Sequence, residues 1–177
     1  IAQGNDQPLH SNAFTSAKRR PEAVRGSDGR ILVLWEDEEL AGDGAEIRGR
    51  MFSPTLSALG NDFRINASSA GLQFAPRAGA YGSLGFLVLW ESDLSVGDDN
   101  VPYSIQARRV TENDAFGSPQ VQLNRWTADT QHQPAAGGRG ERVALAWRSG
   151  GGNEKWSDDV ITGQTWSVCG IFCDGFE

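Results

Sequence analysis

Three stretches of the chain gather oxygen-bearing side chains onto glycine-containing turns: EDEELAGDGAE, ESDLSVGDDN and SGGGNEKWSDD. Hard divalent cations such as calcium take several oxygen ligands from flexible loops, which makes Asp43, Asp98, Asp99, Asp158 and Asp159 candidate calcium ligands. None of the stretches has the ligand spacing of an EF-hand, and solvated acidic turns are the simpler reading. Paired carboxylates could also cleave a glycosidic bond, but their separation in space decides that and spacing along the chain does not. His10 and His132 are the only histidines, and there is no Gly-x-Ser-x-Gly or His-Glu-x-x-His motif, so acyl transfer and zinc-protease chemistry find no support. SGGGNE lacks the Lys-Ser/Thr of a phosphate loop and reads as a turn. No catalytic set emerges, and calcium is the one cofactor worth testing.

Two further pairs of residues carry chemistry. Trp126, in a Thr/Asp-rich connection, and Trp156, in the third acidic stretch, are candidate ligand-stacking aromatics. Cys169 and Cys173, four residues apart, are a candidate disulfide. It would close a short loop and so add little global stability, and it fits an oxidising compartment. Without a histidine or a second cysteine pair, the two thiols make a poor zinc site.

The net charge of −7 and pI near 4.8 argue against nucleic acid as a partner, since a phosphate-binding surface needs a basic stripe. The short AKRRPEAVR cluster reads as a solvated edge. No run of about 18 apolar residues is present to insert in a membrane. Ile1 opens no signal peptide, as expected of a mature or cut chain. At 177 residues, 38% apolar and 22% charged, the chain is sized for one globular domain spanning residues 1–177.

The elements that position these residues are written three times. LVLWE ends at Glu36 and again at Glu91, and VALAWR ends at Arg148. With Trp35, Trp90 and Trp147 aligned, Pro21, Pro76 and Pro134 fall into register before them and Ile47, Ile105 and Ile161 after them. Asn12, Asn66 and Asn124 precede the prolines in the same order. The units are approximately 13–66, 67–124 and 125–166, with a tail at 167–177. Each reads as four short strands: one after the proline, a continuous apolar run (ILVLW, LVLW, VALAW), an alternating strand (EIRGRMF, SIQARRV, VITGQTW), and a last strand (FRIN, VQLN). In the third strand Arg48, Arg50, Arg108 and Arg109 read as a wet face pairing with nearby acids. No segment sustains a helical period.

Such units fit all-β, β-propeller-like blades of four antiparallel strands. The aligned tryptophans then pack sheet on sheet. The PLHSN segment, residues 7–12, is a fourth-type strand at the N-terminus and would close the third unit. Three units are few for a propeller, which leaves three outcomes: two chains meeting in a six-bladed ring, three sheets closing alone as a prism-like body, or a fragment of a larger ring. The homodimer ranks first, a fibre is the other assembly, and the tail is another source of the missing strand.

The sequence resembles a repeat of large secreted and surface proteins of Gram-negative bacteria, of the type FVVVW, IYGQRF, EFQVN. The matching pieces are GRILVLWEDEE, AEIRGRMF, NDFRINASSAGLQFAP, GFLVLWESD, YSIQARRV and VQLNRWTADTQHQP. IFCDGFE is similar to the IF-x-DGFE signature at the ends of many exported proteins, and implies a secreted or cell-surface location. SDDVITGQTW resembles, with stretched spacing, the Asp-box of sialidase-type propellers, which implies fold and not activity. A sialidase also needs an arginine cluster and a tyrosine nucleophile, and neither Tyr81 nor Tyr103 stands in such a setting. The expectation is an exported, non-enzymatic binding module for a surface glycan or protein. An extracellular ring or fibre subunit and a sialidase-like glycosidase are the alternatives.

Overall fold

The computed structural model describes residues 7–11, 16–38, 44–83, 85–94, 96–99, 102–111, 118–151 and 159–167. Asp43, Trp156, Asp158, Cys169 and Cys173 lie outside them. The described residues form three antiparallel sheets and no helix. The first is β1 (Ala17–Arg25), β2 (Ile31–Glu38), β3 (Ala45–Phe52) and β4 (Phe63–Arg64), in that order. The second is β5 (Gln73–Tyr81), β6 (Gly85–Ser92), β7 (Ser104–Thr111) and β8 (Val121–Gln122). The third has three strands, β9 (Gln131–Arg139), β10 (Arg142–Ser149) and β11 (Val160–Ser167), with β11 at its outer edge.

The apolar runs are the second strands: β2 and β6 are buried on both faces, whereas β10 is buried on one face and shows Arg142 and Ala144 on the other. Leu32 and Leu34 look toward the second sheet, joining Ile47, Met51 and Ile65 against Ala78, Phe86, Val88 and Trp90. From the other face of the second sheet, Leu87, Leu89 and Ile105 meet Val143, Leu145 and Trp147 of the third. Trp90 and Trp147 therefore point back toward the sheet before their own. Trp35 lies on the corresponding face of the first sheet in a cluster with Val33 and Phe52, and all three tryptophans are buried. Burying a large apolar side chain is worth about 1.5–3 kcal/mol, so these two seams hold the sheets together. At the inner strands the backbones themselves come close. A Cβ on Gly138 of β9 would stand 2.1 Å from the Ala80 carbonyl oxygen of β5.

Two strand features depart from expectation. The prolines do not precede the first strands but sit within them, each at a β-bulge (Arg19/Glu22, Phe74/Arg77, and opposite Ala146/Arg148). Proline has no N–H to give a ladder, so a bulge is where a strand tolerates it. Arg108 is also not on a wet face. It is buried, and its guanidinium crosses between sheets to the Ile65 carbonyl at 2.8 Å and reaches the Ser118 carbonyl at 2.9 Å.

Residues 7–11 do not pair with β11. They lie against the first sheet, where Leu9 accepts a hydrogen bond from Arg50 and Ser11 pairs with Asp62.

Candidate functional site

The residue before each bulge proline is left-handed: Arg20 has φ 46°, Ala75 51° and Gln133 55°. A residue preceding proline is ordinarily extended. The distortion frees the bulge N–H from the ladder, and a carboxylate of the preceding sheet takes it. Ala75 N–H donates to Glu36 at 2.5 Å, and Gln133 N–H donates to Glu91 at 2.8 Å. The glutamate that ends each LVLWE is thus a strap from one sheet to the first strand of the next. Both glutamates are buried, at 3% and 5% exposure, and each has a second partner. Arg20 donates to Glu36 at 2.7 Å, and His132 Nδ1 lies 2.7 Å from Glu91.

Above these straps runs a row of planar groups. The Arg20 guanidinium lies 6.0 Å from the Phe74 ring centre. Phe74 meets Tyr103 edge-on at 5.4 Å, and Tyr103 meets His132 at 4.9 Å. Phe74, Tyr103 and His132 are half-buried and Arg20 is exposed. The hydrogen bond to Glu36, with the charges of Glu36 and Glu91 adding to it, holds the Arg20 guanidinium more firmly protonated than usual against a smaller desolvation cost. Tyr103 is itself left-handed, φ 73°, with its carbonyl held by the Gln131 N–H at 2.7 Å. A side chain in that region costs about 1–2 kcal/mol, and such strain gathers where a side chain must be aimed.

The row lies at the end of the sheets where the second strands leave and the first strands enter, and the acidic stretches connect there too. Asp99 is buried and accepts from Asn124 Nδ2 at 2.6 Å. Asp98 accepts from Gln122 at 2.9 Å. Asp159 is exposed and ion-paired to Arg148, 2.8 Å from its Nε. These aspartates are engaged by the protein's own donors, and among the described residues no three His, Cys, Asp or Glu side chains converge as a metal would require. Trp126 is 36% exposed, and its carbonyl accepts from Asn124 at 2.9 Å.

Asn124 shows what the repeated asparagine does. Buried at 2%, it accepts from the Ile105 N–H at 2.8 Å while donating to Asp99 and Trp126, so it ties a third strand to the connection that leaves the sheet. Asn66 repeats the arrangement, accepting from the Ile47 N–H at 2.8 Å and donating to Glu46 and to the Ser68 carbonyl.

No protein-family profile matches the chain, and no curated protein does. Solved structures do. A protein of unknown function from Dyadobacter fermentans aligns over 91% of this chain at TM-score 0.62 and 12% identity. A Penicillium chrysogenum alpha-L-arabinanase, solved with arabinobiose, aligns over 86% at TM-score 0.53 and 9% identity. The chain spans 41% of the first protein's length and 58% of the second's. At such identity the likeness is one of fold.

Proposed function

We propose that the three sheets are blades of a propeller-type body, and that the protein is an exported recognition module binding a saccharide at the end where the LVLWE strands finish. The observation carrying this reading is the row Arg20, Phe74, Tyr103 and His132, fixed over two buried carboxylates. Sugars present apolar C–H faces rimmed by hydroxyls. Half-exposed rings beside an anchored guanidinium suit that chemistry, as rigidly held residues suit recognition generally. The strained Tyr103 backbone supports an aimed side chain. Export rests on the IFCDGFE resemblance, and the saccharide complex of the arabinanase, a propeller, is compatible with the ligand class. Hydrolysis is the weaker reading. Glu36 and Glu91 are buried and occupied by backbone N–H groups, whereas a general acid must reach its substrate.

Calorimetric titration with neutral and acidic oligosaccharides tests the proposal. Binding should be lost in Tyr103→Ala and Phe74→Ala while both remain folded, and should survive Trp126→Ala. Absence of binding across the panel at millimolar ligand, or release of reducing sugar during the titration, overturns it.

A further inference from the structure

Residues 7–11 touch the first sheet in the way that each later sheet is touched by the trailing segment of the sheet before it. The Arg50 guanidinium donates to the Leu9 carbonyl at 3.0 Å. Arg108, at the same ladder position of the second sheet, donates to the Ile65 carbonyl at 2.8 Å, and Gln164 of the third donates to the Leu123 carbonyl at 3.1 Å. Two residues further on, the Ser11 N–H donates to the Asp62 carboxylate at 3.2 Å, as the Ala67 N–H donates to Gln120 at 2.8 Å. Asp62 and Gln120 each stand immediately before a fourth strand. Residues 7–11 therefore make half of the contacts of a fourth strand, one belonging to a sheet that would precede the first.

Ile65 and Leu123 also make the other half. Within their own sheets their N–H groups donate to the carbonyls of Ile47 (2.7 Å) and Ile105 (2.8 Å). The equivalent carbonyl in the third sheet belongs to Ile161, on the outer edge of β11, where no strand pairs among the described residues. Ile161 is 79% exposed where Ile47 and Ile105 are fully buried. Beside that edge lies a cleft of about 590 Å³ lined by Gln122, Leu123, Arg125, Gln164 and Trp166. Arg125 holds the position that Ser11 and Ala67 hold in the other two seams, so the cleft is the volume a fourth strand would fill.

We propose that residues 7–11 of a second copy of this chain pair with the outer edge of β11, Leu9 N–H to Ile161 carbonyl, and that two such exchanges close a two-fold dimer. The chain's own segment cannot fill the seat while it keeps these bonds. Arg50 alternates along β3 with Met51, which faces the second sheet, so Leu9 is held on the far side of the first sheet. Main-chain pairing supplies affinity in such strand addition, and closure leaves no exposed edge. Six sheets fall within the usual propeller range of about four to eight.

The native mass of the whole chain in solution decides the matter, independently of any ligand. A dimer of two 19.1 kDa chains is expected at micromolar concentration. Leu9→Pro removes the donor N–H, and Ile161→Lys places a charge at a site that is open in the single chain. Each should raise the dissociation constant at least about tenfold while circular dichroism and the urea midpoint of the monomer stay put. A monomeric wild type, an open polymer, or a dimer indifferent to both substitutions overturns the proposal.

Discussion

Asn124→Ala is expected to cost about 1–3 kcal/mol of stability, worked from the bonds it breaks. A buried donor or acceptor left without a partner costs about 1–3 kcal/mol. The Ile105 N–H is enclosed, out of reach of the solvent that could replace the Asn124 oxygen. Asp99, buried at 2%, loses this 2.6 Å donor but keeps another partner, and so adds less. The Trp126 carbonyl is nearer solvent and can recover a bond from water, so it adds little. Against a domain stability of about 5–15 kcal/mol, the loss should appear in urea unfolding as a lower midpoint at unchanged slope.

Asn124→Asp sharpens the test. It keeps the shape and the acceptor for Ile105 but turns the amide that faces Asp99 into a second carboxylate. Two ionised carboxylates in contact repel, so near neutral pH this variant should be less stable than Asn124→Ala. The folded state then binds a proton more readily than the unfolded one. Stability relative to wild type must therefore recover as pH falls toward the carboxylate range and a proton restores the missing donor. A loss below about 1 kcal/mol for Asn124→Ala, or a deficit in Asn124→Asp that widens on acidification, would refute the account of the repeated asparagine.

Other substitutions probe the remaining joints. Gly138→Ala drives a Cβ into the Ala80 carbonyl and should lower the urea midpoint by the equivalent of about 1–3 kcal/mol; an unchanged midpoint would mean the inner strands can separate freely. Ala75→Gly, at φ 51°, should be neutral or stabilising, although glycine within a strand normally weakens it by about 0.5–1 kcal/mol, and a thermal melt decides the sign. Glu91→Ala should cost about 1–3 kcal/mol by leaving the Gln133 N–H and His132 without their acceptor, and hydrogen exchange should quicken at the β9 bulge. Asp28 is pushed upward by desolvation, but its hydrogen bonds and charge contact with Arg30 outweigh that and leave its pKa lowered. Its contribution should hold above about pH 4 and fade as acid titrates the folded carboxyl, and Asp28→Asn should flatten that part of the stability profile.

The framework was legible because sheet-on-sheet packing writes itself periodically. Trp90 and Trp147 recur because each packs its sheet back on the one before it, and Trp35 keeps the same buried face in the first sheet. LVLW recurs because a strand buried on both faces has no polar side to show. The site was not legible because it is assembled across the period. Phe74 lies in a first strand, Tyr103 precedes a third strand and His132 lies in another first strand, and none of the three is repeated. One signal was present in the text. A glutamate twice closes an apolar run, and a repeated charge in a buried strand must have a repeated partner. That partner is a backbone N–H exposed by a bulge, which sequence cannot display, because the left-handed turn before Pro76 and Pro134 falls on an alanine and a glutamine rather than on glycine. The arginines misled for a related reason. Arg108 alternates as a surface residue would, yet its length carries it from its own sheet to the Ile65 carbonyl of another.

Where the third copy departs from the other two, it does so on one face. Leu32 and Leu34, and Leu87 and Leu89, look forward into a following sheet, and the corresponding positions in β10 are Ala144 and Ala146. Glu36 and Glu91 become Arg148, ion-paired to Asp159 on its own sheet in place of strapping a bulge beyond. A face built for a large apolar seam would retain its leucines and its strap. This face has shed both while keeping Ile161 at the position that receives a fourth strand. The first sheet's backward-looking Val33, Trp35 and Phe52 form a cluster drawn from one sheet alone and are already withdrawn from solvent. Any contact made beyond the third sheet must therefore rely on main-chain pairing along β11 more than on side-chain burial. Its strength should depend only weakly on substitutions at Ala144 and Ala146 and strongly on any that deny the edge its hydrogen bonds.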